Sequence, residues 1–149
     1  MPPDDPPDWP EYCCAILRDA RGRYLLDRRP PDSKAAPGQL TCFGGKREPG
    51  EAPEACVARE LREELGFECA RLDLCVQLIG RPREGPDRAI AWFFRGVAPS
   101  PDTIRTEPGH AAEWVEPESL PAAAIGRWNR PALEAERKGE PIAVIPVDP

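Results

Sequence analysis

One uninterrupted helical stretch, from Pro53 to Leu65, stands out in this 149-residue sequence. Proline is favoured in the first turn of a helix, no Gly or Pro follows within the stretch, and Gly66 suits a C-terminal cap. Helical residues advance by about 100° each. On that spacing the apolar positions gather on one face: Ala58, Leu61 and Leu65. The pattern predicts an amphipathic helix that packs this face against a core.

Three carboxylates lie on an adjoining face of the same helix. Glu60, Glu63 and Glu64 are spaced i, i+3 and i+4, so their side chains are neighbours. Carboxylates this close repel one another unless a cation neutralises them, and Mg²⁺ prefers oxygen ligands of this kind. Taken alone, the pattern is more typical of a solvated acidic face, because such faces are common, and this alternative stays open at this point.

The residues around the helix carry much more information than the helix alone. Gly45 is followed after five residues by Glu51, and after seven more by Arg59-Glu60-Leu61. Glu63-Glu64 and Gly66-Phe67 complete a pattern that agrees with the Nudix box at every specified position. From average residue usage, a chance match in a chain of this length is on the order of 10⁻⁷.

The sequence therefore resembles the Nudix hydrolases, and in detail the MutT type. Further segments follow in the order and rough spacing of that group: Leu26-Asp27-Arg28-Arg29, Gly44-Gly45-Lys46, Ala91-Trp92-Phe93-Phe94 and Trp128-Asn129-Arg130-Pro131. The resemblance implies an α+β fold, the Nudix α/β/α sandwich, in which a loop–helix–loop packs against a mixed β-sheet. It covers most of a single domain, residues 12–149.

The resemblance also implies the catalytic and metal-binding set. Glu60, Glu63 and Glu64 are expected to bind Mg²⁺, or Mn²⁺ in its place, with the backbone carbonyl of Gly44 as a further ligand. A fourth carboxylate often joins from the loop before the last strand, and Glu107 is the first candidate, with Glu113 second. One of these acids would serve as general base, and the sequence leaves open which one.

Other positions are expected to support or bind rather than react. By resemblance, Glu51 and Arg59 pair with each other and hold the loop to the helix, while Gly45 and Gly66 serve the backbone at a turn and a helix end. Lys46, Arg28 and Arg29 match phosphate-contacting positions, although surface cations would look the same. Asn129 resembles a base-contacting asparagine, although a plain helix N-cap is an equal interpretation.

The substrate expected from these features is a small nucleotide. The resemblance implies cleavage of a phosphoanhydride bond in a nucleoside diphosphate linked to another group. Asn129 favours a nucleoside triphosphate, such as the oxidised purine 8-oxo-dGTP, converted to the monophosphate and pyrophosphate. Pro82 lies where ADP-ribose hydrolases carry a proline, which keeps a nucleotide-sugar pyrophosphatase as an alternative. A catalytically silent nucleotide-binding module is the alternative of another class.

Composition limits the partners and the compartment. The net charge of −6 argues against nucleic acid as a partner, because such proteins present a basic surface. No apolar run approaches the roughly 18 residues of a membrane span. Six cysteines without CxxC spacing and one histidine, His110, form no usual zinc site or disulfide framework. These features predict a cytoplasmic protein, and oligomeric state stays open.

Two further features complete the prediction. Residues 1–11 hold five prolines and four acids with no basic residue, which predicts a disordered, solvated tail. The remaining apolar runs predict strands and one more helix: Tyr12–Leu17, Tyr24–Leu26, Leu40–Phe43, Leu72–Ile79, Ala89–Val97, Glu113–Val115 and a helix from Trp128 to Lys138. Hairpins with few helices are typical of a mixed sheet with packed helices.

Overall fold

The computed structural model describes residues 5–147 of the chain. The strands are β1 (Tyr12–Arg18), β2 (Tyr24–Arg28), β3 (Leu40–Thr41), β4 (Phe43–Lys46), β5 (Asp73–Pro82), β6 (Arg88–Val97), β7 (Ala111–Val115) and β8 (Ile142–Val147); the α-helices are α1 (Pro53–Leu65) and α2 (Asn129–Lys138); short 3₁₀ helices span Pro101–Thr103 and Pro117–Ala122. No helix within this described part is long and apolar enough to cross a membrane.

The strands form one mixed sheet. Its order is β3-β2-β1-β6-β5-β8, with β4 paired to β1 and β7 paired to β2. β1 is parallel to β6 and β5 is parallel to β8, while the β1–β2 and β5–β6 pairs are antiparallel. The pairing of β2 with β7 brings the segment before residue 111 to the end of β2.

Each face of the sheet has its own hydrophobic core. One cluster joins α1 to the sheet through Leu61, Leu65, Leu25 and Phe43, and the other includes Leu133 of α2. Successive strand residues point to opposite faces, which explains why Leu25 and Leu26 belong to different clusters. The two helices therefore cover opposite faces, and the expected α/β/α sandwich is confirmed.

A buried ionic cluster fixes α2 against the sheet. The side chain of Glu136 is fully buried and accepts hydrogen bonds from Arg18 at 2.9 Å and from the Tyr24 hydroxyl at 2.8 Å. Arg95 contacts the same carboxylate at 3.3 Å. Because a buried carboxylate is tolerated only when it is well paired, this cluster sets the position of the helix whose first residue is Asn129.

Most predicted elements are present, with several changes at their ends. The helix α1 spans Pro53–Leu65 as expected, and Gly66 caps it in the left-handed conformation with φ of 62°. Gly44 and Gly45, expected to follow a strand, lie within β4 because they pair with β1. The second helix begins at Asn129 rather than Trp128. The strand β8 and both 3₁₀ helices were not predicted.

The N-terminal segment differs from a solvated tail where the structure describes it. Residues 1–4 of the predicted tail lie outside the described part. Asp5 forms an ion pair with Arg47 at 2.9 Å, and Arg47 also donates to the Pro10 carbonyl at 2.9 Å. The Arg47 guanidinium lies 5.1 Å from the centre of the Trp9 ring. Asp5, Trp9 and Pro10 therefore contact the loop that precedes α1 through Arg47.

Candidate active site

Strand β4 contains two glycines that permit very close packing. The Gly44 N–H donates to Glu64 Oε1 at 2.8 Å. Gly44 has φ of 152°, and a side chain there would overlap the Cys13 carbonyl oxygen. A Cβ on Gly45 would lie 2.6 Å from the Glu60 carboxyl carbon. Both glycines therefore bring the backbone directly onto the carboxylates of α1.

Arg59 joins the loop to the helix. It forms two hydrogen bonds with Glu51, at 2.8 Å and 2.9 Å, which is the pairing that the sequence predicted. The same guanidinium contacts Glu60 at 3.0 Å and Glu63 at 3.3 Å. Arg59 also donates to the Lys46 carbonyl at 3.2 Å. One cation thus holds both the loop and two of the three predicted metal-binding glutamates.

The Glu51–Arg59 pair is expected to stabilise the fold. Its hydrogen bonds lower the pKa of Glu51 to about 2, below the ordinary value, so its stabilisation is complete above pH 4.5 and is lost as the pH falls towards 2. Replacing Glu51 with Gln is therefore expected to lower the free energy of unfolding by about 2 kcal/mol at pH 7. Urea unfolding at pH 7 and pH 3 measures this, and an equal loss at both values would contradict the ionic origin.

The carboxylates of α1 sit in unequal environments. Burial raises the pKa of Glu64 to about 8, and repulsion from Glu60, Asp27 and Glu107 adds to this, against the lowering effect of the Gly44 N–H. Burial likewise raises the pKa of Glu60, while Arg59 lowers it. Glu63 is exposed. Glu64 therefore lies within electrostatic range of three other acids, and their repulsion disfavours ionisation of its carboxyl.

The group of neighbouring acids around Glu64 suits a divalent cation, although the carboxylate oxygens do not converge on one position. Among residues 5–147, no three His, Cys, Asp or Glu side chains are arranged to hold a metal ion. The reason is that Arg59 pairs with Glu60 and Glu63, while Glu64 accepts from Gly44. Glutamate and backbone carbonyl oxygens are the hard donors that Mg²⁺ prefers, so the residues present suit it chemically.

Asp27 and His110 belong to this region, and the sequence assigned a role to neither. Asp27 is only 1% exposed, and His110 Nδ1 lies 2.9 and 3.0 Å from its two carboxylate oxygens. Asp27 follows Leu25 by two residues on β2, so its side chain faces α1. The two residues are 83 positions apart, and no local sequence pattern links them.

The two loop acids considered for the site occupy different places. Glu107 lies near enough to Glu64 to raise the pKa of that carboxyl. Glu113 instead accepts two hydrogen bonds from Arg28, each of 2.9 Å, which lower the pKa of Glu113. Arg28 also donates to the Gly38 carbonyl. Glu113 is thus paired with Arg28, and Arg28 is bonded to a carboxylate rather than available for phosphate.

A cavity of about 600 Å³ opens beside the two glycines of β4. Its wall includes Arg29, Gly44, Gly45, Phe93, Trp128 and Asn129. Asn129 Oδ1 accepts a hydrogen bond from the Cys42 N–H at 3.0 Å, so this side chain does not cap its own helix. Arg127 also lines the cavity, which the sequence did not indicate. Lys46 is exposed at the end of β4.

The carboxylates of α1, the two glycines of β4 packed against them and the adjoining cavity, all on an α/β/α sandwich, define a hydrolase of the Nudix type. The NUDIX domain family matches residues 10–135, and the chain belongs to that family. The chain is therefore a Nudix pyrophosphohydrolase, a class that generally requires a divalent metal.

Individual relatives differ in the substrate that they are named for. The chain is 32% identical over 123 residues to the 8-oxo-dGTP diphosphatase of Escherichia coli (strain K12), covering 83% of this chain and 92% of the relative. It is also 32% identical over 125 residues to the CTP pyrophosphohydrolase of the same organism, covering 84% and 89%. The MutT protein from Methanosarcina mazei Go1 has a similar structure, with a TM-score of 0.70, 25% identity and coverage of 85% and 91%.

Proposed function

We propose that this protein hydrolyses a nucleoside triphosphate to the monophosphate and pyrophosphate in the presence of Mg²⁺, with an oxidised purine such as 8-oxo-dGTP as the preferred base. The observation that carries this proposal is the cavity of about 600 Å³ that begins at Gly44 and Gly45. Binding sites of this size accommodate small organic ligands. Because the same glycines contact Glu60 and Glu64, a nucleoside in the cavity would place its phosphates beside the acids of α1.

In this proposal the chain's own residues divide the work. Glu60, Glu63, Glu64 and the Gly44 carbonyl would hold Mg²⁺, and Mn²⁺ suits the same oxygen donors. When bound, the metal supplies positive charge for the phosphoryl oxygens and lowers the pKa of bound water. Two of the three predicted phosphate-binding cations are supported by their positions. Arg29 lines the cavity, and Lys46 directly follows the two glycines of β4.

Asn129 would contact the base through its amide nitrogen. Its Oδ1 accepts from the Cys42 N–H, and this bond fixes which end of the amide faces away from the backbone. The remaining N–H groups are therefore donors for a carbonyl oxygen on a base. A purine with a keto group satisfies this requirement, and the 8-oxo-dGTP diphosphatase relative supports that substrate class.

A substrate panel tests the proposal. The panel holds 8-oxo-dGTP, the four common dNTPs, CTP, ADP-ribose and diadenosine polyphosphates, each with Mg²⁺ and with EDTA as the blank. We expect metal-dependent release of pyrophosphate from triphosphates, with the highest kcat/KM on 8-oxo-dGTP. ADP-ribose turning over tenfold faster than any triphosphate would overturn the substrate class, and CTP as the preferred substrate would overturn the purine.

Substitution of Asn129 by Asp tests the base contact in the same panel. An aspartate still accepts from the Cys42 N–H but presents an oxygen where the amide presented N–H donors. We expect kcat/KM on 8-oxo-dGTP to fall about tenfold or more, because a lost hydrogen bond in a buried site costs about 1 to 3 kcal/mol. An unchanged ratio between 8-oxo-dGTP and dATP would show that Asn129 does not contact the base.

A further inference from the structure

The segment from Thr106 to His110 is a turn closed by its own hydrogen bonds. The Thr106 hydroxyl donates to the His110 carbonyl at 3.1 Å, and the His110 N–H donates to the Glu107 carbonyl at 3.0 Å. Gly109 within it has φ of 83°, a conformation that favours glycine. Glu107 therefore lies on a short turn that is held by hydrogen bonds within the turn itself.

This turn is tied to the catalytic region at both ends. On one side the Arg105 N–H donates to the Leu65 carbonyl at the end of α1, at 3.4 Å. On the other side the His110 ring is held by the carboxylate of Asp27 on β2, at 2.9 Å. β2 and α1 both contribute to one hydrophobic cluster, so the two attachments hold the turn near the C-terminal end of α1, where Glu64 lies.

The Asp27–His110 contact is the stronger of these attachments. Asp27 is 1% exposed, and a buried carboxylate without a partner costs far more than an exposed one. His110 is half-buried beneath the turn and supplies a ring nitrogen to that carboxylate. The pair therefore resists displacement of the turn, because moving His110 away would leave the Asp27 charge without this partner.

We propose that Asp27 and His110 form a clamp that holds Glu107 beside Glu64, and that both are positioning residues for hydrolysis. The proposal rests on the metal-dependent hydrolysis proposed above, and it adds two residues to that site. Neither residue of the clamp needs to touch the substrate. Its effect passes through the backbone of the Thr106–His110 turn to the carboxylate of Glu107, which completes the acidic site.

The test is a double-mutant cycle on the full chain. Three variants are compared with the wild type: His110→Phe, Glu107→Gln and the double variant. Two readouts are taken for each, kcat and KM on the best triphosphate of the panel, and the affinity for Mn²⁺ without nucleotide, measured by electron paramagnetic resonance. Glu118→Gln, which changes an exposed acid of the 3₁₀ helix Pro117–Ala122, is the matched control for the loss of one negative charge.

If the clamp acts through Glu107, His110→Phe lowers kcat about tenfold with KM within twofold, and it weakens Mn²⁺ binding several-fold. The double variant then behaves as Glu107→Gln alone, since residues that act as one unit are not additive. Multiplicative losses in the double variant would overturn the proposal. So would a His110→Phe variant that melts at a lower temperature while kcat and Mn²⁺ affinity stay at wild-type values.

Two milder variants keep the test decisive if His110→Phe does not fold. His110→Asn places an amide N–H near the position of ring Nδ1 and is expected to restore most of the lost kcat and Mn²⁺ affinity. Thr106→Val removes only the hydrogen bond that closes the turn, and we expect a smaller loss in both readouts. Absence of rescue together with no effect of Thr106→Val would overturn the clamp. If no nucleotide is hydrolysed, the proposed function fails, while the Mn²⁺ affinities still decide this inference.

Discussion

Replacing Glu64 with Gln is expected to lower kcat about 10³-fold while the fold is retained. The side chains have nearly the same shape, and the amide oxygen can still accept from the Gly44 N–H that now bonds to Oε1 at 2.8 Å. What is lost is a carboxylate oxygen donor at the most buried acid of α1, where burial raises the pKa of the carboxyl and repulsion from neighbouring acids raises it further. Loss of a metal-binding charge removes interactions worth several kcal/mol in the transition state.

The same substitution is expected to stabilise the metal-free protein at high pH. The pKa of Glu64 is raised to about 8 from an ordinary value of 4.5, so folding favours its protonated form. This contribution is present below pH 4.5 and is lost as the pH rises through 8. In EDTA, the wild type should therefore lose thermal stability between pH 5 and pH 9, while Glu64→Gln changes less.

A matched control separates this effect from a general loss of acid. Glu54→Gln removes an exposed carboxylate from the first turn of the same helix. We expect this control to keep kcat and the wild-type dependence of thermal stability on pH. Equal kcat for wild type and Glu64→Gln, with Mg²⁺ saturating in both, would contradict a role for Glu64 in the reaction.

The parts of the site that lie on one helix could be predicted because helical spacing is regular. Residues Glu60, Glu63 and Glu64 share a face by periodicity alone, and the helix has the predicted ends at Pro53 and Leu65. The resemblance also implied that Glu51 would pair with Arg59, although not that Arg59 would contact Glu60 and Glu63 as well. Which carboxylates contact one guanidinium depends on side-chain geometry, and the spacing of residues along the sequence does not specify that geometry.

Contacts between distant segments were beyond the sequence for a different reason. Asp27 meets His110 only because β2 pairs with β7, and this register places Asp27 opposite Ala112. The same pairing sets Glu113 opposite Leu26 and beside Arg28, which removes Arg28 from the phosphate-binding group that the resemblance suggested. β7 has only five residues, and the residue pattern of so short a strand does not indicate which strand it pairs with.

The secondary structure was likewise predictable only in part. The strands with continuous apolar runs were predicted to within a few residues, while β8 was missed although Ile142, Val144 and Val147 favour a strand. Its burial alternates between exposed and half-buried residues, so it lacks the strong apolar contrast of β1. The glycines of β4 were read as a turn because glycine is uncommon in strands, and tertiary pairing with β1 overrides that preference.

Replacing Gly44 with Ala is expected to destabilise the protein by about 3 kcal/mol or more and to abolish turnover. The added Cβ would overlap the Cys13 carbonyl oxygen and lie 2.6 Å from the Cys14 Cα, and both are backbone atoms of a central strand that cannot turn aside. Any shift of β4 at this position also breaks the hydrogen bond that Glu64 accepts from the Gly44 N–H. Gly50→Ala is the control, because Gly50 has φ of 77° but its Cβ would meet nothing within 4 Å, so only strain of about 1 kcal/mol is expected. Urea unfolding of both variants measures the difference, and a Gly44→Ala loss no larger than that of Gly50→Ala would refute the close packing of Gly44 on β1.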